Sequence, residues 1–315
     1  MNVRRPHISG AALAAVAVLG IGSLSACSTD SAAADGRFDV VASFYPMQFL
    51  AERIGGDHVH VTTLTEPGQE PHELELSLRQ RAELEESDAA LYLSGLQPSV
   101  DEAIDQAGLK TKIDAAHLTR LEDHGDVEHD HGGEEHPEEE EHSLDPHVWL
   151  DPVKYAEIAE GVGTAFAKAD PDHAADYRKN TDALVDRLHA LDTEFRDGLK
   201  NTKTKVFFTN HASFGYFAER YGLTQEAISG VDPESEPSPA RIRELREEAR
   251  ADGVTTVFYE TLVSGKTAKT LADDAGLRTD VLDPLEGLTD RSKGDDYFAV
   301  MEANLTALKK ALGAR

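Results

Sequence analysis

The sequence predicts an α/β protein of two Rossmann-like lobes with a ligand cleft between them, bridged by one long helix. Three observations lead there. Short apolar runs alternate with helical patterns along most of the chain, which is the signature of a parallel sheet. One amphipathic stretch, Asp170 to Leu199, is much longer than its neighbours. The opening unit also recurs faintly 167 residues later. A length of 315 residues suggests about two domains.

The elements follow in order. Arg37 to Phe44 reads as a strand running into a turn at Tyr45-Pro46, and Met47 to Ile54 as a helix. His58 to Leu64 alternates as a second strand, Leu74 to Glu86 carries apolar residues at helical spacing, and Ala89 to Leu93 is a short strand closed by Gly95. A helical run starts near Tyr155. In the long stretch, Asp170 is the expected N-cap and Pro171 the first helical residue. Tyr177, Leu184, Leu188, Leu191, Phe195 and Leu199 then form one apolar stripe. Afterwards come a strand at Lys205 to Thr209, a helix from Phe214, Pro239 to Ala251, a strand at Val254 to Tyr259, a helix from Lys266, Thr279 to Leu282 and a last helix from Asp296 to Leu312. In the repeat, Phe38 to Phe44 corresponds to Lys205 to His211, and Leu50-Ala51-Glu52-Arg53-Ile54-Gly55 to Phe217-Ala218-Glu219-Arg220-Tyr221-Gly222. The expected layout is residues 37–168 for the first lobe, 169–201 for the linking helix and 202–315 for the second lobe. Ligands of such sheets bind beyond the carboxyl ends of strands, which places a site between the lobes.

Composition narrows the partners. The formal charge is −28, from 59 acidic and 31 basic side chains. That charge repels nucleic-acid backbones and anionic lipid surfaces. The single cysteine excludes an internal disulfide framework and any Cys₄ or Cys₂His₂ zinc knuckle. It stands at Leu24-Ser25-Ala26-Cys27, after Arg4-Arg5 and an apolar run from Ala11 to Leu24 that is short for a membrane span. This resembles a bacterial lipobox, which implies a signal peptide over residues 1–26, cleavage before Cys27 and lipid on its thiol. Arg4-Arg5 also admits twin-arginine export. Residues 27–36 read as a small, polar tether. From Glu122 to His142 there are eleven acids, five histidines and no Lys or Arg. Such a segment cannot bury a core and reads as a mobile loop of the first lobe that collects metal weakly.

Three histidines stand apart from the other eleven. His72 ends Pro67-Gly68-Gln69-Glu70-Pro71-His72. His147 lies in Asp145-Pro146-His147-Val148-Trp149-Leu150-Asp151-Pro152. His211 follows a strand in Asn210-His211-Ala212-Ser213-Phe214-Gly215-Tyr216-Phe217. All three occupy loop or strand-end positions, where functional groups gather. Together with Asp283-Pro284-Leu285-Glu286-Gly287-Leu288-Thr289, these motifs resemble the ZnuA-like zinc-binding solute receptors of bacterial ABC transporters, the metal-binding cluster A-I group. The resemblance runs from Phe38 to the final helix. It implies that His72, His147 and His211 bind metal in a cleft between two lobes bridged by a long helix. A glutamate just before the first histidine, used by some relatives, is replaced here by Pro71. The resemblance offers Glu286 first and Asp283 second as the fourth ligand, with water as a third candidate.

Imidazole suits zinc, copper, iron and nickel, and three imidazoles with one carboxylate close a tetrahedron. Asp145 and Asp151 each suit either the far side of a ligating imidazole or a turn cap. The resemblance further implies a monomeric, extracytoplasmic, lipid-anchored receptor that passes Zn2+ as cargo to an ABC permease and its ATPase. A manganese or other divalent-metal receptor and a metal-dependent surface adhesin are the alternatives. A zinc hydrolase is remote, since the sequence has neither His-Glu-x-x-His nor Gly-x-Ser-x-Gly.

Overall fold

The computed structural model describes residues 36–124 and 144–314. The signal peptide, Cys27, the tether and most of the acidic histidine-rich segment lie outside the described residues. No described helix is long and apolar enough to cross a membrane.

The first sheet contains β1 (Phe38–Ala42), β2 (Val59–Thr63), β3 (Ala89–Tyr92) and β4 (Thr111–Asp114) in the order β2-β1-β3-β4. The second contains β5 (Val206–Thr209), β6 (Thr224–Ala227), β7 (Thr256–Tyr259) and β8 (Arg278–Val281) in the order β6-β5-β7-β8. All neighbours are parallel, with Val40 opposite Val61 in one sheet and Phe208 opposite Val257 in the other. Both lobes therefore place their second strand outside the first and build outward through the third. The faint repeat opens each series, β1 then α1 (Tyr45–Gly55) and β5 then α6 (Gly215–Tyr221). Burial explains the apolar character of β3 and β5, since parallel strands are covered on both faces.

Two boundaries differ from the sequence expectation. The helix expected from Leu74 is α2 (Leu78–Glu86). Ser77 caps it, accepting from Gln80 N while the Gln80 side chain accepts from Ser77 N. Before the cap the chain is non-helical, and Leu74 and Leu76 are buried while Glu73 and Glu75 are exposed. The long helix also begins later than Asp170. After α4 (Pro152–Ala169), a 3-10 turn spans Pro171–His173, and α5 runs over Ala174–Leu199. Asp170 makes no backbone cap there; its Oδ2 holds His173 Nδ1 at 2.7 Å and accepts from the Tyr177 hydroxyl at 2.6 Å. The expectation also passed over α3 (Pro98–Gln106), β4 and β6, which are short and largely polar on the surface.

At 26 residues, α5 is about 39 Å long. It packs along α1 and α4 and also meets α6 and α9 (Tyr297–Leu312). Its approach to α4 is close: a Cβ at Gly163 would lie 2.1 Å from Thr181 Oγ1. One apolar cluster runs through both lobes, including Phe44, Trp149, Tyr155, Phe195, Tyr297 and Leu308. Polar links cross the same boundary. Trp149 Nε1 donates to Pro284 O at 2.7 Å, and the Tyr297 hydroxyl donates to Trp149 O at 2.7 Å. Arg220 Nε sits 3.2 Å from Asp151 and 2.6 Å from Asp192. A shared core and these polar links join the two lobes.

Candidate metal centre

Four segments bring ligand-type side chains together. His72 comes from the loop between β2 and α2. That loop is shaped by Gly68, whose φ of 84° suits glycine, and by the bond from Gln69 N to Glu66 O at 3.0 Å. His147 opens a buried 3-10 turn, Val148–Leu150, at the root of α4. His211 follows β5 directly, its carbonyl accepting from Thr209 Oγ1 at 2.7 Å and Gln225 Nε2 at 2.9 Å. Glu286 lies beyond β8, just after Leu285, the one described non-glycine residue in the left-handed region, with φ 60°.

Left-handed backbone is costly for leucine, so the surroundings must hold it. Asp283 does so. Its Oδ1 accepts from Leu285 N at 2.9 Å, and its Oδ2 accepts from Thr261 Oγ1 at 3.2 Å and Ser292 Oγ at 2.9 Å. Asn304 clamps the same residue, accepting from Asp283 N at 3.0 Å and donating to its carbonyl at 2.7 Å. Asp283 thus braces the turn that delivers Glu286, and it is not in the cluster with the histidines.

The ligand atoms of His72, His147, His211 and Glu286 all lie within 4.8 Å of one another. Glu286 Oε1 is 3.4 Å from His72 Nε2, 3.3 Å from His147 Nε2 and 3.2 Å from His211 Nε2. His147 Nε2 and His211 Nε2 are 3.4 Å apart. Three of the four side chains are fully buried, and His72 is 11% exposed. Yet both Glu286 oxygens and His72 Nε2 are buried without a hydrogen-bond partner. Unpartnered buried polar atoms are expensive, and converging ones are the mark of a cation site. A cleft of about 350 Å³, lined in part by Tyr45, Glu66 and Leu288, reaches Glu286 from outside.

The outward nitrogens are held as well. Asp145 Oδ1 is 2.8 Å from His147 Nδ1 and accepts from His147 N at 2.9 Å. Glu260 Oε1 is 2.6 Å from His211 Nδ1 and accepts from His211 N at 3.3 Å. A carboxylate on Nδ1 fixes the tautomer that leaves Nε2 free to ligate. Asp151 has the other role open to it: it accepts from Val153 N at 2.8 Å and caps α4. Glu260 was missed in the sequence. It directly follows β7, a strand-end position like that of His211, which lies two residues past β5.

Electrostatics follow from this arrangement. Burial alone would lower the pKa of His211, but Glu260 and Glu286 outweigh it and raise it well above the usual histidine value. Burial likewise opposes the charge on His147, and Asp145 and Glu286 again raise it. Burial would push Glu286 up, but the histidines around it hold it well below the usual carboxylate value. Asp145 is held low against burial by His124 and His147. A divalent cation bound here would have to displace any proton that these carboxylates favour on His147 and His211.

Two parallel α/β lobes with a buried polyhistidine and carboxylate cluster where their strand-end loops converge define a two-lobed solute-binding protein with a metal-sized site. Residues 40–311 match the ZnuA family, described as the periplasmic component A of the zinc-uptake complex, and the chain belongs to that family. It is 38% identical over 297 residues to the zinc-binding lipoprotein AdcA of Streptococcus pneumoniae serotype 4, covering 91% of this chain and 58% of the relative. The chain thus spans little more than half the length of that relative. It is 34% identical over 300 residues to the high-affinity zinc uptake system protein ZnuA of Bacillus subtilis strain 168, covering 92% of this chain and 93% of the relative. Among solved structures, the Zn(II)-bound ZnuA-like domain of Streptococcus pneumoniae AdcA is similar with a TM-score of 0.72 and 35% identity, over 88% of this chain and 99% of that one.

Proposed function

We propose that this chain is an extracytoplasmic zinc receptor whose cargo ion is held by His72, His147, His211 and Glu286 and handed to an ABC permease for import. One observation carries the reading. Four separations among the inward atoms are 3.2 to 3.4 Å. A tetrahedron with zinc bonds of about 2.05 Å has six edges of about 3.3 Å, and these four separations match that length. Three imidazoles to one carboxylate favour zinc over manganese, which prefers an oxygen-rich shell. Asp283 and water are the less favoured fourth ligands, because Asp283 is committed to the turn and Glu286 Oε1 already faces three nitrogens.

The protein binds and releases; it carries out no chemistry on its cargo. Cys27 is its membrane anchor, after removal of residues 1–26, and residues 27–36 are the tether. Residues 37–168 and 202–315 form the two lobes, and residues 169–201 link them. The segment from 122 to 142 collects zinc weakly. Calorimetry on the mature chain tests the reading: one tight zinc equivalent is expected, lost in Glu286→Gln. A tight equivalent that survives this substitution would overturn the assignment.

A further inference from the structure

The internal repeat sets one arginine at the same place in each lobe. Arg53 lies on α1 and Arg220 on α6, the first helices of the two lobes. Both reach across the lobe boundary. Arg53 Nη2 donates to Asp296 Oδ2 at 2.8 Å, while Asp296 Oδ1 accepts from Ala299 N at 2.9 Å and caps α9. Arg220 Nε is 3.2 Å from Asp151 Oδ1, and Asp151 caps α4. Helix α4 follows the fourth strand of the first sheet, and α9 follows the fourth strand of the second. The first helix of each lobe therefore holds the cap of the other lobe's last helix, and the two pairs are reciprocal. Between the capped helices, the rings of Tyr155 and Tyr297 pack at 4.8 Å.

Each cap leads back to a ligand. Asp151 ends the turn that His147 opens. Asp296 closes the loop that carries Glu286, and α9 holds Asn304, whose two bonds clamp Asp283 beneath the Glu286 turn. The ligand segments also bond to each other, through Trp149 Nε1 on Pro284 O. Arg220 has a further anchor, Asp192 Oδ1 on α5 at 2.6 Å, so one guanidinium joins the second lobe, the linking helix and the first lobe. Its side chain is 21% exposed against 48% for Arg53, and Asp151 and Asp192 beside it are buried. Weaker solvent screening makes the Arg220 pairs the stronger ones.

We propose that Arg53 and Arg220 are positioning residues for zinc, a reciprocal pair of inter-lobe latches that hold each other's last helix so that His147 and Glu286 meet across the cleft. The proposal rests on the receptor reading for its ligand, and on the repeat and the two ion pairs for the latches. Without them, the metal-free chain spends part of its time with the lobes apart. Apparent affinity then falls in proportion to the fraction that remains closed.

The test uses the chain's single tryptophan, Trp149, which is fully buried at the lobe boundary. Acrylamide quenching of its fluorescence in the metal-free mature chain reads lobe separation without zinc, and chelator competition reads zinc affinity. Quenching should be low in the unsubstituted chain, higher in Arg53→Gln, higher again in Arg220→Gln and highest in the double variant. Affinity should fall in the same order, about threefold and about tenfold for the two single variants, within the range seen for residues that couple separate parts of a protein. Arg220→Lys, which keeps the charge, should regain part of the loss. Arg241→Gln is the control. Arg241 is buried on Glu226 and Glu244 within the second lobe, so its loss should lower the thermal midpoint and leave quenching and affinity unchanged. Unchanged quenching in the double variant, or in Arg53→Gln where Arg220→Gln does not fold, overturns the latches. Raised quenching with unchanged affinity overturns their positioning role, as does an affinity loss in Arg241→Gln equal to that in Arg220→Gln. If the unsubstituted chain shows no tight zinc equivalent, the receptor reading fails instead, and quenching still decides the latches.

Discussion

The two sides of the inner cluster are built differently. His147 and His211 are fully buried, and each is backed by a carboxylate that grips both its ring and its own backbone N–H. His72 comes from an open loop, keeps some exposure, and has its nearest carboxylate, Glu70, on its backbone at 3.0 Å. Glu286 joins the rigid side through the braced turn at Leu285. Three corners of the tetrahedron are thus fixed by the fold and the fourth by a loop. Pre-organised ligands lose little entropy on binding, whereas a loop ligand must be ordered by the metal. The difference leaves His72 as the least supported corner of the cluster.

The largest effects should come from removing the fixed corners. Replacing His147 or His211 with alanine should weaken zinc binding on the order of a hundredfold or more, a quarter share or so of a four-ligand zinc site. His72→Ala should lose less and raise the dissociation rate most, as read by competition with a chelator. Equal losses at all three positions would erase the distinction between the two sides.

The backing carboxylates come next. Glu260→Gln and Asp145→Asn keep shape and remove charge, and each should cost about 10–100-fold in affinity. Glu70→Gln, whose carboxylate accepts only from the backbone N–H groups of His72 and Glu73, should cost far less. A loss at Glu70 to match that at Glu260 would show that both sides are equally supported.

Protons sharpen the same contrast. His147 and His211 have folded pKa values above the usual one, so they hold protons to higher pH than free histidine. Metal must displace those protons, so affinity falls as pH falls, and the decline should begin above about 6.5, the free histidine value. In Glu260→Gln the onset should move down, because the carboxylate that raises His211 is gone. Equilibrium dialysis from pH 8 to 5 checks this; constant affinity down to pH 6 would contradict it.

A small effect away from the cluster provides a control. Burial opposes the charge on Asp280, but Lys293 at 2.8 Å and Lys310 at 3.1 Å bring its pKa down to about 2. The folded value is the lower one, so this stabilisation is present above the unfolded carboxyl value and is lost as pH falls through about 2. Asp280→Asn should lower the thermal midpoint slightly at neutral pH and leave zinc affinity unchanged, since exposed ion pairs contribute little.

Sequence and structure divide the work unevenly. The two lobes were legible because their inner strands are apolar and their helices periodic, whereas the polar outer strands β4 and β6 were not, and even the faint repeat marks the start of two sheets of like order. His72, His147 and His211 were singled out because rigid loops and strand ends are readable as such. The choice between Asp283 and Glu286 was not, since it depends on a left-handed Leu285 that no spacing announces. Glu260 was missed because its partner His211 is 49 residues away and a lone strand-end acid looks ordinary.

On this reading, side chains from four separate segments, His72, His147, His211 and Glu286, make one zinc shell. A crystal structure of the chain loaded with one zinc equivalent, with anomalous scattering measured at the zinc edge, tests it most directly. The account predicts one strong peak about 2.0–2.2 Å from the Nε2 atoms of His72, His147 and His211 and from a Glu286 oxygen. A peak outside this cluster, or one in which Asp283 or water takes the place of Glu286, would contradict it.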